Sequence, residues 1–435
     1  MNNNTLNPKI RDKALKVLDK VGGNICPRCL GRNFSHEIDA TDNLVRGEFI
    51  RNKLIEPEIH RNKPSEFVNR NICNNDCINI AECYICHDIF QIINNDLIES
   101  IALQLKNLNI EFETFLVGCR VSADIIKREK EIQELVQVDV ENIKKEINRE
   151  IGKALSIRLG KEVDFEKPHL IMLVDFTKND EKPQLEFQIN PLFIEGRYRK
   201  LIRGIPQTKW PCRECKGRGC ERCNYTGKMY QESVEELISP KILKKADGTE
   251  SKFHGAGRED IDVKMLGNGR PFVLEIKEPH KRNLNLKDLE EKINQDNTGK
   301  VKISDLKFTD KSRRSQIKTS STDTYKVYCA KVSLDREITP EDLDLIKSMD
   351  KIEQRTPTRV AHRRADLIRK REVRDIEIKV LDERCLELII ECQGGLYIKE
   401  LISGDDNRTN PSISSILNAE ARCVQLDVLD VHINK

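Results

Sequence analysis

The apolar positions of the first 190 residues recur at helical and strand periods. Their spacing predicts amphipathic helices over 9–22, 96–108 and 140–159, the last of them closed by Gly160. It also predicts strands over 112–121 and 170–176, and the alternation over 184–189 is typical of a strand at a sheet edge. We therefore expect this half of the chain to mix helices with strands.

Strand-like apolar runs recur in the second half of the chain. They cover 262–265, 272–276, 324–332, 376–381 and 386–391, and helices are expected between several of them. The segment 277–314 is highly charged and has few large apolar residues, so we expect a long surface excursion there. The whole pattern predicts an α+β fold.

The composition limits the kind of protein. A chain of 435 residues is expected to form two or three domains. Charged residues make up 34% of it, but the net charge is only +3, so the total charge does not indicate a nucleic-acid partner. The chain has no apolar run of 18 residues and no signal peptide after Met1, so we expect a cytoplasmic protein with no membrane partner.

The chain contains 15 cysteines, and in a reducing compartment these are not expected to form a disulfide framework. Some of them lie singly among apolar neighbours and are predicted to be small core residues. These five are Cys119, Cys329, Cys385, Cys392 and Cys423. The other ten are grouped, which is the arrangement that metal sites use.

The first cysteine group predicts a zinc site near the start of the chain. Cys73 and Cys77 compete with Cys83 and Cys86 to be the second pair of ligands, and His87 is a weaker alternative ligand. Four thiolates leave no open position on the ion, so this zinc would be structural and not catalytic. Two CxxC pairs are the preferred ligands: Cys26, Cys29, Cys83 and Cys86.

The second cysteine group predicts another possible four-thiolate zinc site. Gly217 and Gly219 permit the turn that brings its two pairs onto one ion. Five Lys or Arg residues lie inside or beside this knuckle, which suits contact with phosphates; a solvated basic loop held by zinc is the alternative. The four cysteines fall within twelve residues: Cys212, Cys215, Cys220 and Cys223.

Two segments concentrate positive charge in a chain that is nearly neutral. Residues 195–228 carry ten Lys or Arg against three Glu, with Tyr198, Trp210 and Tyr225 interleaved. Residues 354–374 carry eight basic residues against two acids. Cations concentrated in this way indicate a polyanion partner, and their guanidinium and hydroxyl neighbours are groups that contact phosphate and sugar.

Three segments, in chain order, carry residues suited to catalysis. The loop 253–262 places Arg258 and Asp260 beside two glycines. Lys326-Val-Tyr328-Cys-Ala follows within a predicted strand, and Tyr397-Ile-Lys399-Glu-Leu401 comes later. These segments resemble the three-motif active site of the pseudouridine synthases.

The resemblance is closer to one branch, the archaeal tRNA pseudouridine synthase "ten" family, and covers nearly the whole chain. The CxxC pairs, the loop 253–260 and the segments 354–366 and 394–405 carry it. It implies a zinc-binding module over 1–87, a THUMP-like RNA-binding domain over 88–190, and a catalytic domain over 191–435 with a bifurcated mixed or antiparallel sheet. It also implies the substrate, uridines 54 and 55 of the tRNA TΨC arm.

The resemblance also assigns roles to residues. Asp260 is expected to be the nucleophile, attacking either the ribose or the base, and Lys399 can keep it ionised. Tyr328 is suited to stack on the flipped uracil and to assist removal of its carbon-5 proton. No cofactor is needed for this chemistry. Two further contacts to the substrate are expected from the resemblance. Tyr397 and Leu401 would form an apolar wall of the pocket. Arg258 would position the RNA backbone or fill the place that the flipped base leaves.

Two assignments stay open in the sequence. Tyr325 lies three residues before Tyr328, so the two side chains point to opposite strand faces and only one can face Asp260. Asp262 is the rival nucleophile.

Two other functions compete with the isomerase. Asp260 or Asp262 followed by Glu275-Ile-Lys277 is similar to the Asp…Glu-x-Lys arrangement of Mg²⁺-dependent nucleases. The other alternative is a zinc-containing RNA-binding protein without catalysis. The sequence indicates no obligate protein partner and leaves the oligomeric state open.

Overall fold

The structure is a computed structural model that describes residues 6–55, 82–137, 140–178, 182–319 and 324–432. The chain divides into two compact units, Met1–Asn190 and Pro191–Lys435. Within the described ranges, no helix is both long and apolar enough to cross a membrane.

Helices make up the first part of unit 1. Asn7 caps the first of them by accepting a hydrogen bond from the Lys9 N–H, and Asn94 caps the fifth through the Leu97 N–H. The helices expected over 9–22 and 96–108 are confirmed. In chain order they are α1 (Pro8–Lys20), α2 (Pro27–Arg32), α3 (Asn43–Ile55), α4 (Ile89–Ile92) and α5 (Asn95–Leu108).

The rest of unit 1 is built around a four-stranded sheet in the order β2-β1-β3-β4. β1 runs parallel to β2 and β3, and β4 pairs antiparallel with β3 at the edge, as its alternation predicts. Gly160, with φ of 62°, ends the helix expected over 140–159. The elements are β1 (Thr114–Arg120), α6 (Ala123–Val136), α7 (Ile143–Leu159), β2 (Glu162–Val163), β3 (Leu170–Asp175) and β4 (Gln184–Ile189).

One hydrophobic core extends through this unit from Ala14 to Phe176. A buried ionic triad crosses it. The Arg32 side chain on α2 is 1% exposed, and its guanidinium lies 3.0 Å from Glu129 of α6 and 2.7 Å from Glu146 of α7. A buried cation is tolerated only with such partners, so the triad ties the helix after Cys26 to the helices beside the sheet.

Unit 2 contains a ten-stranded sheet whose main path runs β13-β10-β11-β12-β9-β14-β7-β5-β8. Its strands are β5 (Leu192–Lys200), β6 (Glu250–Gly255), β7 (Lys264–Lys277), β8 (Val301–Thr309), β9 (Tyr325–Leu334), β10 (Lys351–Arg355), β11 (Ile368–Asp382), β12 (Cys385–Gln393), β13 (Thr409–Asn410) and β14 (Ala421–His432). Its α-helices are α8 (Val234–Ala246), α9 (Leu286–Asp296), α10 (Lys311–Thr319), α11 (Pro340–Lys347), α12 (Ile398–Ser403) and α13 (Ile413–Leu417).

The sheet of unit 2 branches at β7. The first residues of β7, Lys264 and Met265, pair parallel with β14, and the rest of the strand pairs antiparallel with β5 on one side and β6 on the other. The expected α+β fold with a mixed, bifurcated sheet is therefore confirmed. The branch leaves β6 and the start of β7 at one end of the sheet, joined by the loop that contains Asp260.

The surface excursion expected over 277–314 is wrong. This segment contains α9 and β8, and β8 is hydrogen-bonded along β5 at the edge of the sheet. Each element buries only one face, through Leu289 and Ile293 on α9 and through Val301 and Ile303 on β8. Charged residues fill the other faces, so the average composition hides two one-sided elements.

The five cysteines expected in the core are not equally buried. Cys119 and Cys392 are buried, whereas Cys329, Cys385 and Cys423 are only half-buried. The last three lie on the strands β9, β12 and β14, where one sheet face is less covered than the other.

Candidate active site and metal clusters

The Asp260 loop, residues 256–263, connects β6 to β7. Its turn requires glycine at position 257, where φ is +78°. A Cβ atom there would lie 3.1 Å from Arg270 Nη1 and 3.3 Å from Lys326 Nζ. The glycine thus lets the loop lie directly on buried cations.

A buried ionic network lies beneath the Asp260 loop. Glu259 accepts hydrogen bonds from the Tyr198 hydroxyl and from Arg270 Nε, each at 2.9 Å. Arg270 is 1% exposed, and its Nη1 donates to the Ala256 carbonyl at 2.8 Å. Burial lowers the pKa of Arg270, but Glu259, Tyr198 and Tyr328 together raise it above the ordinary value, and the guanidinium stays charged.

Two further buried side chains hold the backbone of the loop. Lys200 Nζ donates to the carbonyls of Asp260 at 3.0 Å and Ile261 at 3.3 Å, and burial lowers the pKa of this lysine. Gln207 Nε2 donates to the Gly257 carbonyl at 3.0 Å. Glu259 is buried in this network, whereas the side chain of the next residue, Asp260, is part-exposed.

The Asp260 carboxylate is 30% exposed and faces two cations. Arg359 Nη1 lies 2.8 Å from Oδ2, and Lys399 Nζ lies 3.8 Å from the same oxygen. Arg359 belongs to a short 3₁₀ helix, Thr358–Arg363, and also pairs with the buried carboxylate of Glu400 on α12. Burial lowers the pKa of Arg359, but Glu400 and Asp260 raise it more, so its net pKa lies above the ordinary value.

Lys399 lies nearer to the rival carboxylate than to Asp260. Its Nζ is 2.7 Å from Asp262 Oδ2, and the Asp262 side chain is 67% exposed. Burial raises the pKa of Asp262, whereas the hydrogen bond and the charge of Lys399 lower it. The net pKa lies below the ordinary value. One lysine on α12 therefore lies beside both aspartates of the loop.

The two tyrosines of β9 lie in different surroundings. Tyr328 packs against the core of unit 2, and burial raises its pKa, with smaller effects from the charges of Arg270 and Asp260. Tyr325 instead has the guanidinium of Arg374 over its ring. The structure thus brings Tyr328 into the electrostatic reach of Asp260.

The third segment lies around the start of α12. The Tyr397 N–H donates to Gln354 Oε1 at 2.8 Å, Gln354 Nε2 donates back to the Tyr397 carbonyl at 3.1 Å, and the Arg359 guanidinium lies over the Tyr397 ring at 5.8 Å. Leu401 is fully buried in the core beneath α12. Arg258 lies over the ring of Trp210, 4.9 Å from its centroid.

Several residues of this site could not be singled out from the sequence. Arg359 was included only in a basic segment expected to contact phosphate, and Glu400 was not considered. The buried partners Glu259 and Arg270 also had no assigned role. The sequence offered only a weak signal for them. Glu259 precedes Asp260, and Arg270 follows the residues Gly-Asn-Gly, but nothing in the sequence indicates that either side chain is buried.

Each of the two cysteine groups brings four sulfur atoms within 4.8 Å of one another. The Cys26 and Cys86 sulfurs are 3.7 Å apart, and the second group shows separations of 3.7 to 3.9 Å. A tetrahedron with Zn–S bonds of about 2.3 Å has edges of about 3.8 Å, so both groups fit this ion. Cys73 and Cys77 lie outside the described residues, and His87 instead contacts Glu82 and Asp124.

Backbone N–H groups point at the sulfurs of both clusters. In the second cluster, Gly219 N–H donates to Cys215 Sγ, and Cys220 and Gly227 donate to Cys223 Sγ, each at 3.2 Å. In the first, Cys26 N–H donates to Cys83 Sγ at 3.2 Å. Such donors stabilise thiolates, the form in which cysteine binds metal.

The chain matches two family models. The one described as "Pus10, C-terminal" matches residues 193–432, and the one described as "Pus10 THUMP domain, archaeal" matches residues 98–175. A relative named tRNA pseudouridine synthase Pus10, from Methanothermobacter marburgensis, is 47% identical over 97% of this chain and 98% of its own. Another of that name, from Methanosphaera stadtmanae, is 44% identical over 94% of this chain and 96% of its own.

Among solved structures, a Cbf5-Nop10-Gar1 complex is similar over 45% of this chain and 44% of its own matched chain, at 17% identity. The TM-score of that match is 0.29, which is too low to support any conclusion.

Proposed function

Because this chain belongs to the Pus10 family of tRNA pseudouridine synthases, we propose that it modifies uridines 54 and 55 of the TΨC arm, with Asp260 as its nucleophile. The isomerisation of uridine in tRNA follows from the family. The observation that supports Asp260 is its placement. It is a part-exposed carboxylate on a loop held from below by buried donors and faced by Arg359 and Lys399.

The reaction breaks the bond between N1 of uracil and C1′ of the ribose and forms a bond between C5 and C1′. A proton leaves C5 and N1 gains one, so no atoms are gained or lost overall. Asp260 would attack the ribose or the base and hold the fragments in one site. Arg359 and Lys399 place two positive charges beside this carboxylate, at 2.8 and 3.8 Å.

Tyr328 would contact the flipped base. Burial raises its pKa, so the phenol stays neutral at physiological pH and suits stacking and hydrogen bonding to uracil. To accept the carbon-5 proton, its oxygen would first have to lose its own. The raised pKa therefore favours the positioning part of the role that we expected for Tyr328.

The remaining substrate contacts come from the ends of the same loop and helix. Tyr397, beneath Arg359, would form the wall of the uracil pocket, and Leu401 would support it from the core. Arg258 would contact the RNA backbone or occupy the place of the flipped uridine. The basic segments 195–228 and 354–374 would contact phosphates of the tRNA.

We propose zinc as the ion of both cysteine clusters, since four converging thiolates are typical ligands of structural zinc. When bound, such an ion would close the fold around it and would not take part in the isomerisation. The division into modules over 1–87, 88–190 and 191–435 stays a prediction, as does action in the cytoplasm.

The nuclease alternative gains no support from the site. Glu275 lies 2.9 Å from both His254 and Arg314, and these contacts lower its pKa. Among the described residues, the groups of three or more side chains whose ligand atoms could share one metal ion are the two cysteine clusters, and neither includes a carboxylate of the Asp260 loop.

Mapping of pseudouridines in tRNA transcripts incubated with the purified protein tests the proposal. We expect modification at both positions in the wild-type transcript, and at the remaining uridine when position 54 or 55 is changed to cytidine. Modification elsewhere, with both positions untouched, would refute the assigned substrate. Mg²⁺-dependent cleavage of the transcript would support the nuclease instead.

A further inference from the structure

The base of the second cysteine cluster meets the Asp260 loop. We call residues 211–228 the knuckle. Its two ends are joined by a bridge between Pro211 and Lys228, and Met229 N–H donates to the Trp210 carbonyl at 2.9 Å. Trp210, the only tryptophan of the chain, therefore stands at the point where the knuckle begins.

Two residues just before the knuckle contact two adjacent residues of the loop. Gln207 donates to the Gly257 carbonyl at 3.0 Å. The Trp210 ring lies under the guanidinium of Arg258, with 4.9 Å between Cζ and the ring centroid. The ring is itself held edge-to-face by Tyr230, at 5.6 Å and 78°. Both contacts reach the loop within three residues of Asp260.

The stacked ring of Trp210 restricts the orientation of Arg258. Arg258 is exposed, and holding a long side chain in one rotamer costs conformational entropy that a contact must offset. A cation is attracted to the face of an indole ring, strongly enough to favour one orientation several-fold. Trp210 therefore presents the Arg258 guanidinium in one direction beside the nucleophile loop.

The knuckle has little to fold it besides a metal ion. Its buried side chains are cysteines: Cys212, Cys215 and Cys223, with Cys220 partly buried against them. Four of its arginines and lysines are exposed, namely Arg213, Lys216, Arg218 and Arg222. Without an ion, a segment of this composition cannot bury enough apolar surface to order itself.

We propose that Trp210 is a positioning residue for Arg258, and that a metal ion held by the four cysteines of the knuckle fixes Trp210 in that place. This inference rests on the proposed function, because Arg258 is taken to contact the substrate RNA. It makes the second metal cluster part of how the active site is arranged, in addition to the phosphate contact expected of its basic residues.

Fluorescence of the single tryptophan tests the metal step without any activity measurement. Protein freed of metal by a chelator is titrated with Zn²⁺, and we expect Trp210 emission to change until the knuckle is filled. The change should survive Cys83→Ser, which removes a ligand of the other cluster, and disappear in Cys215→Ser/Cys220→Ser. An emission that zinc does not alter, or that alters equally without the knuckle cysteines, would overturn the proposal.

Kinetics test the positioning step. We expect Trp210→Leu to lower kcat for pseudouridine formation about tenfold, equal to about 1.4 kcal/mol, with KM for tRNA little changed. Trp210→Phe should recover much of this loss, because a benzene ring also attracts a cation. Combining Trp210→Leu with Arg258→Gln should cost no more than Arg258→Gln alone, because the tryptophan would act through the arginine.

Additive losses in the double variant would overturn the positioning role. A loss confined to KM that grows with salt concentration would also overturn it, and would assign the knuckle to phosphate contact alone. Unmodified positions 54 and 55 with the wild-type protein would count against the proposed function, while the fluorescence experiment would still decide the metal step.

Discussion

Arg359 joins the nucleophile loop to α12, and its removal should damage catalysis more than stability explains. The perturbation is Arg359→Met, which keeps the apolar stem and removes the charge. In the structure the guanidinium contacts Asp260 at 2.8 Å and also donates twice to Glu400. After the change, the remaining cation paired with Asp260 among the described residues is Lys399, at 3.8 Å.

The size of the effect follows from these contacts. A hydrogen bond to a charged group contributes about 1.5–3 kcal/mol when buried, and about 1 kcal/mol or less at the surface. Since Arg359 is 36% and Asp260 30% exposed, we take an intermediate value for their contact. A loss of about 1.4–2 kcal/mol in transition-state stabilisation predicts that kcat falls by about 10- to 30-fold.

The structure provides a matched control in Arg336→Met. Arg336 is 37% exposed and makes two hydrogen bonds to Asp342, which is 5% exposed; the values for Arg359 and Glu400 are 36% and 6%. Each variant leaves one buried carboxylate without its cation, and each should lose about 2–3 kcal/mol of stability. Tm would then fall by about 4–12 °C in both.

Tritium release from tRNA labelled at carbon 5 of uridine measures kcat, at saturating tRNA and well below both midpoints. We expect Arg336→Met to keep wild-type kcat and Arg359→Met to lose it, although their Tm values fall together. Equal kcat in the two variants would show that the contact between Arg359 and Asp260 has no catalytic effect, contrary to this prediction.

Three other substitutions can be checked by thermal unfolding, by chemical denaturation and by zinc content. Burial lowers the pKa of Lys326 from 10.5 in the unfolded chain to about 8 in the folded protein. Between pH 8 and 10.5 the unfolded chain therefore binds one proton more than the folded protein, and the stability of the wild type rises with pH. Lys326→Met should remove this part of the rise and raise Tm at pH 7; equal slopes against pH in the two proteins would contradict the burial argument. Glu259→Gln leaves Arg270 and Lys200 without a buried anion and should cost about 3–5 kcal/mol in chemical denaturation, whereas a near-neutral effect would mean that the network relaxes. Cys83→Ser should lower the zinc content from two ions per chain to one and lower the Tm of unit 1, and unchanged zinc content would exclude Cys83 as a ligand.

Local patterns predicted the elements that carry their own periodicity. The helix ending at Gly160 and the edge strand over 184–189 are examples, because side-chain spacing alone determines which face they bury. β8 escaped prediction because its apolar alternation changes phase at Asp305, where φ is +60°, so that Leu306 and Phe308 are out of step with Val301 and Ile303. Its place beside β5 depends on pairing across more than a hundred residues, which no local window contains.

The site divides in the same way. The loop around Asp260 was visible in the sequence because its glycines, arginine and carboxylate are contiguous. Its strongest ion-pair partner, Arg359, lies 99 positions later, in a segment whose many cations look alike in composition. The expected Lys399 contact exists, but the lysine lies closer to Asp262, a geometric choice that a spacing pattern does not encode.

We propose Asp260, and not its neighbour Asp262, as the nucleophile. The most direct measurement compares pseudouridine formation in tRNA by Asp260→Asn and Asp262→Asn, each checked for wild-type tRNA binding and Tm. We predict no detectable product with Asp260→Asn. With Asp262→Asn we predict activity within about threefold of wild type, since that carboxylate is 67% exposed and its ion pair with Lys399 is weak. Pseudouridine formed by Asp260→Asn, or lost only in Asp262→Asn, would contradict the assignment.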